Sequence, residues 1–232
     1  MQPVSQRLSF DDKMIEGKGS QRMSLLYDIS RTITPALAVW PGDAPFSFEH
    51  ALRTADDASV NLTTLTLSAH TGSHADAPYH VAGDGAHPAD LPLDPYLGPA
   101  HLVTIARRQG GIVPADFAGH DLVGVQRLLI HTWVSDLPDE QWPDDFPYPT
   151  VELIDWLAAQ GGVLLGLDCP SVDRFDSQDL PCHHHLYQHG MVNLETLRFA
   201  GVPDGRYELI ALPLKIAGVC GSPVRAVLRS PD

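Results

Sequence analysis

The chain has 232 residues, 44% of them hydrophobic and 19% charged, which describes one globular core rather than a disordered segment. A formal charge of −14 repels phosphate backbones and anionic lipids, so neither nucleic acid nor a membrane is an expected partner. Cys169, Cys182 and Cys220, irregularly spaced, supply neither a disulfide framework nor a Cys-x-x-Cys zinc pair and suit a reducing cytoplasm.

In chain order, residues 1–23 mix Arg7, Asp11, Asp12, Lys13 and Glu16 without an apolar stretch. They read as a loose N-terminal extension rather than a secretory signal, with a single domain expected over 24–232. Residues 25–29 predict a first strand, and Pro35, Pro41, Gly42 and Pro45 then punctuate a long loop. Residues 59–69, rich in Thr, Val and Leu and free of Gly and Pro, predict a strand with Leu65, Leu67 and Ala69 on one face. Five prolines and four glycines over 70–100 predict mostly loop. Short strands follow at 101–106 and 127–132.

Thr150 as N-cap, Glu152 in the first turn and the stop at Gly161-Gly162 predict a helix over 150–160. Residues 163–167 fit a buried strand. A second helix is expected to start near Pro181 and carry a run of histidines, a third to cover 194–200, and a late strand to cover 208–214. More strand than helix, interspersed, makes a mixed α/β domain with long functional loops. No stretch approaches the roughly twenty apolar residues of a membrane span.

The chemistry concentrates in two places. His70, His74, Asp76 and His80 fall within eleven residues. Gly72 and Pro78 lie among them, which excludes one amphipathic helix and points to a strand end entering a turning loop where the side chains converge. A lone histidine is ordinarily a surface or hydrogen-bonded residue. Three imidazoles and a carboxylate in one short loop point instead to zinc, manganese or iron(II), with an open coordination position.

The second place is His183-His184-His185, followed by His189, with Glu195 twelve residues after His183. Adjacent histidines cannot all point one way, so one or two would ligate. The run also reads as a surface tract that binds metal adventitiously. Together the clusters suit a two-metal site in which Asp76 bridges and a histidine outside the ligand set carries a proton. Trp40, in a loop, reads either as a pocket wall for a flat ligand or as a packed anchor. His50, His87, His101, His120 and His131 are isolated and read as structural or exposed. No Gly-x-Ser-x-Gly elbow is present to make a serine the nucleophile.

The stretch from His70 to His80 resembles the His-x-Gly-x-His-x-Asp-x-Pro-x-His type signature of the metal-dependent cyclase hydrolase family. Further stretches are similar to the formamidases of that family, so that the likeness runs from about residue 26 to 229. These are Trp40-Pro41-Gly42-Asp43, Leu93-Asp94-Pro95-Tyr96-Leu97-Gly98-Pro99, Asp168-Cys169-Pro170-Ser171-Val172-Asp173, Tyr207-Glu208-Leu209-Ile210-Ala211-Leu212-Pro213-Leu214-Lys215 and Ser222-Pro223-Val224-Arg225-Ala226-Val227-Leu228-Arg229.

The resemblance implies a swivelling β/β/α-type domain with a barrel-like mixed sheet. It also implies two divalent metal ions per subunit, Zn2+ or alternatively Mn2+. His70, His74 and Asp76 would hold the first ion, and Asp76, His183 and Glu195 the second. His80 would be the proton carrier and Trp40 a substrate contact. The implied reaction is hydrolysis of N-formyl-L-kynurenine to L-kynurenine and formate, in tryptophan catabolism, by a cytoplasmic homodimer acting on a small aromatic formamide. Hydrolysis of a related amide such as isatin is the alternative within the family, and a ligand-binding protein without turnover the alternative outside it. The sequence departs from the pattern at Cys169, where the formamidases carry Thr, in the triple histidine, and in the extension before Ser24. A thiol donates a weaker hydrogen bond than a hydroxyl and can itself approach a metal.

Overall fold

A computed structural model describes residues 24–231, so the expected extension at 1–23 lies outside the described residues. The strands are β1 (Leu26–Asp28), β2 (Ser47–Leu52), β3 (Leu62–Thr66), β4 (His74–Asp76), β5 (Leu97–Thr104), β6 (Gly110–Ile112), β7 (Arg127–His131), β8 (Pro147–Pro149), β9 (Leu164–Leu167), β10 (Val192–Glu195), β11 (Gly205–Ile210), β12 (Gly221–Pro223) and β13 (Val227–Arg229). The α-helices are α1 (Val151–Ala159) and α2 (Pro181–Gln188).

Nine strands form one curled sheet in the order β1-β13-β11-β5-β7-β9-β10-β4-β12. The middle four, β5, β7, β9 and β10, are parallel, and the flanking pairs are antiparallel. A parallel strand covered on both faces must be apolar along its whole length. Leu128, Leu129 and Ile130 in β7 and Leu164, Leu165 and Leu167 in β9 meet that demand and are fully buried. Gly166 meets it by absence, since a Cβ there would lie 2.6 Å from Leu129 Cδ2.

On one face α1 presents Leu153, Ile154 and Leu157, and α2 presents Cys182 and Leu186, to Leu128, Ile130 and Leu165. On the other face Tyr96, Leu102, Leu129, Leu194, Phe199 and Leu209 make a second core. The Thr150 hydroxyl caps α1 by accepting from Leu153 N at 3.3 Å, and Gly161, at φ +84, ends the helix as expected.

Three sequence expectations change. The strand predicted over 59–69 is only β3, and it pairs with β2 alone in a ribbon whose every residue is exposed. A Leu- and Thr-rich stretch fits any pleated pair and does not say what covers its apolar residues. The helix predicted over 194–200 is strand β10 and its exit. All four β10 side chains are buried between β9 and β4, and Thr196 follows at φ +58, which no α-helix accepts. The late strand ends at Ile210, short of Pro213, which has no N–H for a ladder.

Candidate metal centre

β4 places His74 and Asp76 two residues apart on one strand, so both project from the same face. β10 runs antiparallel beside it with Glu195 opposite His74. The sheet register alone thus brings His74 Nε2 to 3.4 Å from Asp76 Oδ1 and 3.5 Å from Glu195 Oε2. Just before β4, Gly72 takes φ +65 with Ile33 and Leu37 packed where a Cβ would be, and this bend returns His70 to the same point. His70 Nδ1 lies 2.9 Å from Asp76 Oδ1. From the opposite side α2 delivers His183, whose Nε2 is 3.3 Å from Asp76 Oδ2 and 3.4 Å from Glu195 Oε1. His80 ends a 3-10 turn at the rim, its ring 4.4 Å from that of His70 and 5.5 Å from that of His183.

The two oxygens of Asp76 face different imidazoles, Oδ1 toward His70 and His74 and Oδ2 toward His183. Glu195 is divided in the same way between His74 and His183. His74 Nε2 and Asp76 Oδ1 are buried with no hydrogen-bond partner among the described residues. Orphaned polar atoms aimed at one point fit a cation between them. Ligand atoms of His70, His74 and Asp76 lie within 4.8 Å of one another, as do those of Asp76, His80 and His183. The residues present therefore fit a metal cation held about Asp76.

The charges agree with this fit. Burial works against ionised Asp76, yet the imidazoles of His183, His70 and His74 beside it hold it well below the usual carboxylate range. Burial would likewise depress His74, but Asp76 and Glu195 lift it to about 10. His183 is raised against the same burial by Asp173, Asp76 and Glu195. Buried anions demand positive charge beside them. His80, which keeps an open edge, is pushed down by the desolvating walls around it.

Several supporting residues were not singled out from the sequence. Asp173 accepts from His183 Nδ1 at 2.7 Å and from the backbone amides of Cys182 and His183, which fixes the ring so that Nε2 faces inward. It belongs to the stretch 168–173, and only the fold places it under α2. Asn193 Nδ2 donates to Asp76 Oδ2 at 2.6 Å and to Glu195 Oε1 at 3.1 Å. Its signal was the two-residue step to Glu195 on a strand, hidden by the helix expected there.

The thiols also exchange places. Cys169 is fully buried in the core, 3.5 Å from Thr132 Oγ1, and does not line the cavity. Cys220 lines it instead, with Sγ 3.1 Å from His70 Nε2.

The cluster opens into a cavity of about 490 Å³ walled by Val39, Trp40, Trp142, Pro170 and Leu180. Trp40 both lines this space and packs, with its ring 5.1 Å from Phe175 and 5.6 Å from Trp142. Of the histidine run, His183 alone turns inward. His185 and His189 face Asp155 on α1.

The cyclase family model matches residues 27–174. Kynurenine formamidase of Salinibacter ruber is 48% identical over 89% of this chain and 99% of its own length. Kynurenine formamidase of Maricaulis maris is 44% identical over the same shares. Among solved structures, a protein described as a predicted metal-dependent hydrolase from Bacillus stearothermophilus superposes with a TM-score of 0.76 at 25% identity, covering 90% of this chain and 99% of that one. Isatin hydrolase A from Labrenzia aggregata, bound to benzyl benzoate, gives 0.74 at 22% identity over 90% of this chain and 94% of its own, a likeness of fold.

Proposed function

The chain belongs to the cyclase family and is a hydrolase, and from that premise we propose that it hydrolyses N-formyl-L-kynurenine to L-kynurenine and formate, a step of tryptophan catabolism. The observation that carries the reading is 48% identity, over 99% of its length, to a kynurenine formamidase, and the divided Asp76 carboxylate supports the chemistry.

In this reading His70, His74 and Asp76 hold one divalent ion, and Asp76, His183 and Glu195 hold another. Bound there, such ions polarise an amide carbonyl and ease the ionisation of water near neutral pH. The rest is the work of the chain. His80, at the rim beside both halves of the centre, takes the proton of the attacking water and returns it to the departing aryl nitrogen as the C–N bond breaks. The water oxygen ends on formate. Trp40, with Trp142 beside it, gives the aromatic ring an apolar wall, and Phe175 packs against Trp40. Asp173 and Asn193 keep the ligands in register, so that little reorganisation remains when the substrate arrives. Mixed nitrogen and oxygen ligands accept zinc and manganese alike.

A homodimer and a cytoplasmic setting belong to the same proposal. The exposed β2–β3 ribbon supports the first, since Phe48, Leu52, Leu62 and Leu65 all lie in solvent on the single chain. Three free thiols support the second. No helix among the described residues is long and apolar enough to cross a membrane.

The test loads purified protein with zinc and, separately, manganese, and follows kynurenine absorbance, with isatin as a parallel substrate. Metal-dependent turnover of the formyl substrate is expected. Turnover of isatin alone would keep the centre and discard the named substrate.

A further inference from the structure

A second convergence of metal-binding side chains lies on the outer surface, where α1 and α2 pack together. His185, in the last turn of α2, and His189, its C-cap, are four residues apart, about one turn, so their rings stand on one side of the helix end. Asp155 meets them from α1. Its neighbours Leu153, Ile154 and Leu157 point into the core and leave Asp155 outward. Both imidazoles turn a ring nitrogen to the same oxygen, with His185 Nδ1 at 3.1 Å and His189 Nε2 at 2.8 Å from Asp155 Oδ1. All three ligand atoms lie within 4.8 Å of one another.

We propose that Asp155, His185 and His189 form a third metal site, which takes a first-row transition ion such as Zn2+ or Cu2+ and ties α2 to α1. Two imidazoles and a carboxylate are a donor set that these ions favour over magnesium or calcium. Tetrahedral bonds of about 2.0–2.1 Å place neighbouring donor atoms about 3.3 Å apart, so each nitrogen–oxygen pair here need open by only a few tenths of an ångström. Water completes the coordination, because the site faces solvent. The side chain of Asp155 is 50% exposed, so binding is weaker than at a centre whose ligands are walled from water. The helix that the ion ties down is the one that carries His183, two residues from His185.

The test titrates full-length protein with Zn2+ in competition with a chromophoric chelator and counts ions per chain. It compares the natural sequence with His189→Gln, His185→Gln and His184→Gln. His189→Gln and His185→Gln are expected to lose one ion per chain, the weakest class, and with it any rise in melting temperature that excess Zn2+ produces. His184→Gln is expected to keep both. Equal ion counts in the natural protein and His189→Gln would overturn the proposal, as would equal loss in His184→Gln. Circular dichroism of each variant without added metal verifies that the helices are intact, and none of these positions belongs to the hydrophobic core.

Discussion

α2 presents the same ligand chemistry to two environments. On its inner side His183 meets two carboxylates that are almost fully buried, with Asp173 holding its other nitrogen. On its outer side His185 and His189 meet one half-exposed carboxylate with solvent all around. The difference is desolvation. Inside, the charges have no water to fall back on, so each atom needs a protein partner or a cation. Two of those atoms, His74 Nε2 and Asp76 Oδ1, have no hydrogen-bond partner among the described residues. Outside, water can replace any partner that is lost. Similar residues therefore make a tightly committed cluster on one side of the helix and, in the proposed outer site, an optional one on the other.

The strongest way to break this comparison is Asp76→Ala. Removing the carboxylate shared by both halves is expected to cost metal and bring turnover below detection, since the remaining ligands form two incomplete sets. Elemental analysis after gel filtration checks it, and unchanged occupancy would sink the shared role of Asp76. Next comes His80→Ala. As a proton carrier outside the ligand set, it is expected to lose about 10²–10⁴-fold in kcat with metal content retained. Full activity would remove it from the mechanism, and loss of metal would make it a ligand, which its closeness to Asp76 and His183 allows. Third, Asp173→Asn keeps the shape but weakens the anchor of His183, and should cost about 10–100-fold in metal affinity, read by chelator competition. The proposed outer site has no such anchor among the described residues, so no single substitution behind it should weaken it as far.

Much of this contrast was legible in the sequence, because it rests on short-range spacing. His70, His74, Asp76 and His80 converge through one glycine bend and one strand, both local features. The N-cap at Thr150 and the stop at Gly161 were equally local. What could not be read depended on partners far along the chain. Val192–Glu195 has the length of half a helix, and only pairing with β9 and β4 makes it a strand and sets Asn193 against Asp76. Cys220 lies 150 residues from His70, and no spacing rule connects them. The β2–β3 ribbon has the pattern of a half-buried sheet, but what covers its apolar residues is a question of assembly rather than of pattern. The sense in which α2 is two-sided was hidden too, since a run of three histidines does not say which one faces inward.

The smallest effect sharpens the comparison most cleanly, because it acts on one region alone. The Thr150 hydroxyl accepts from Leu153 N and donates to Ile112 O at 3.1 Å, so it both starts α1 and ties that start to the neighbouring β6 strand. Thr150→Ala should cost about 1 kcal/mol of stability, which for a chain of this size lowers the melting temperature by about 2–4 °C. Thr150→Ser should recover most of the loss. The fraying falls on the helix that carries Asp155, whereas His74, Asp76 and Glu195 are held by the β4–β10 register on the far side of α2. Turnover of metal-loaded Thr150→Ala should therefore match that of the natural protein at temperatures below its own transition. A fall in kcat in the fully folded variant would mean that the looser α1 reaches His183 through α2, and that the two sides of that helix are not independent.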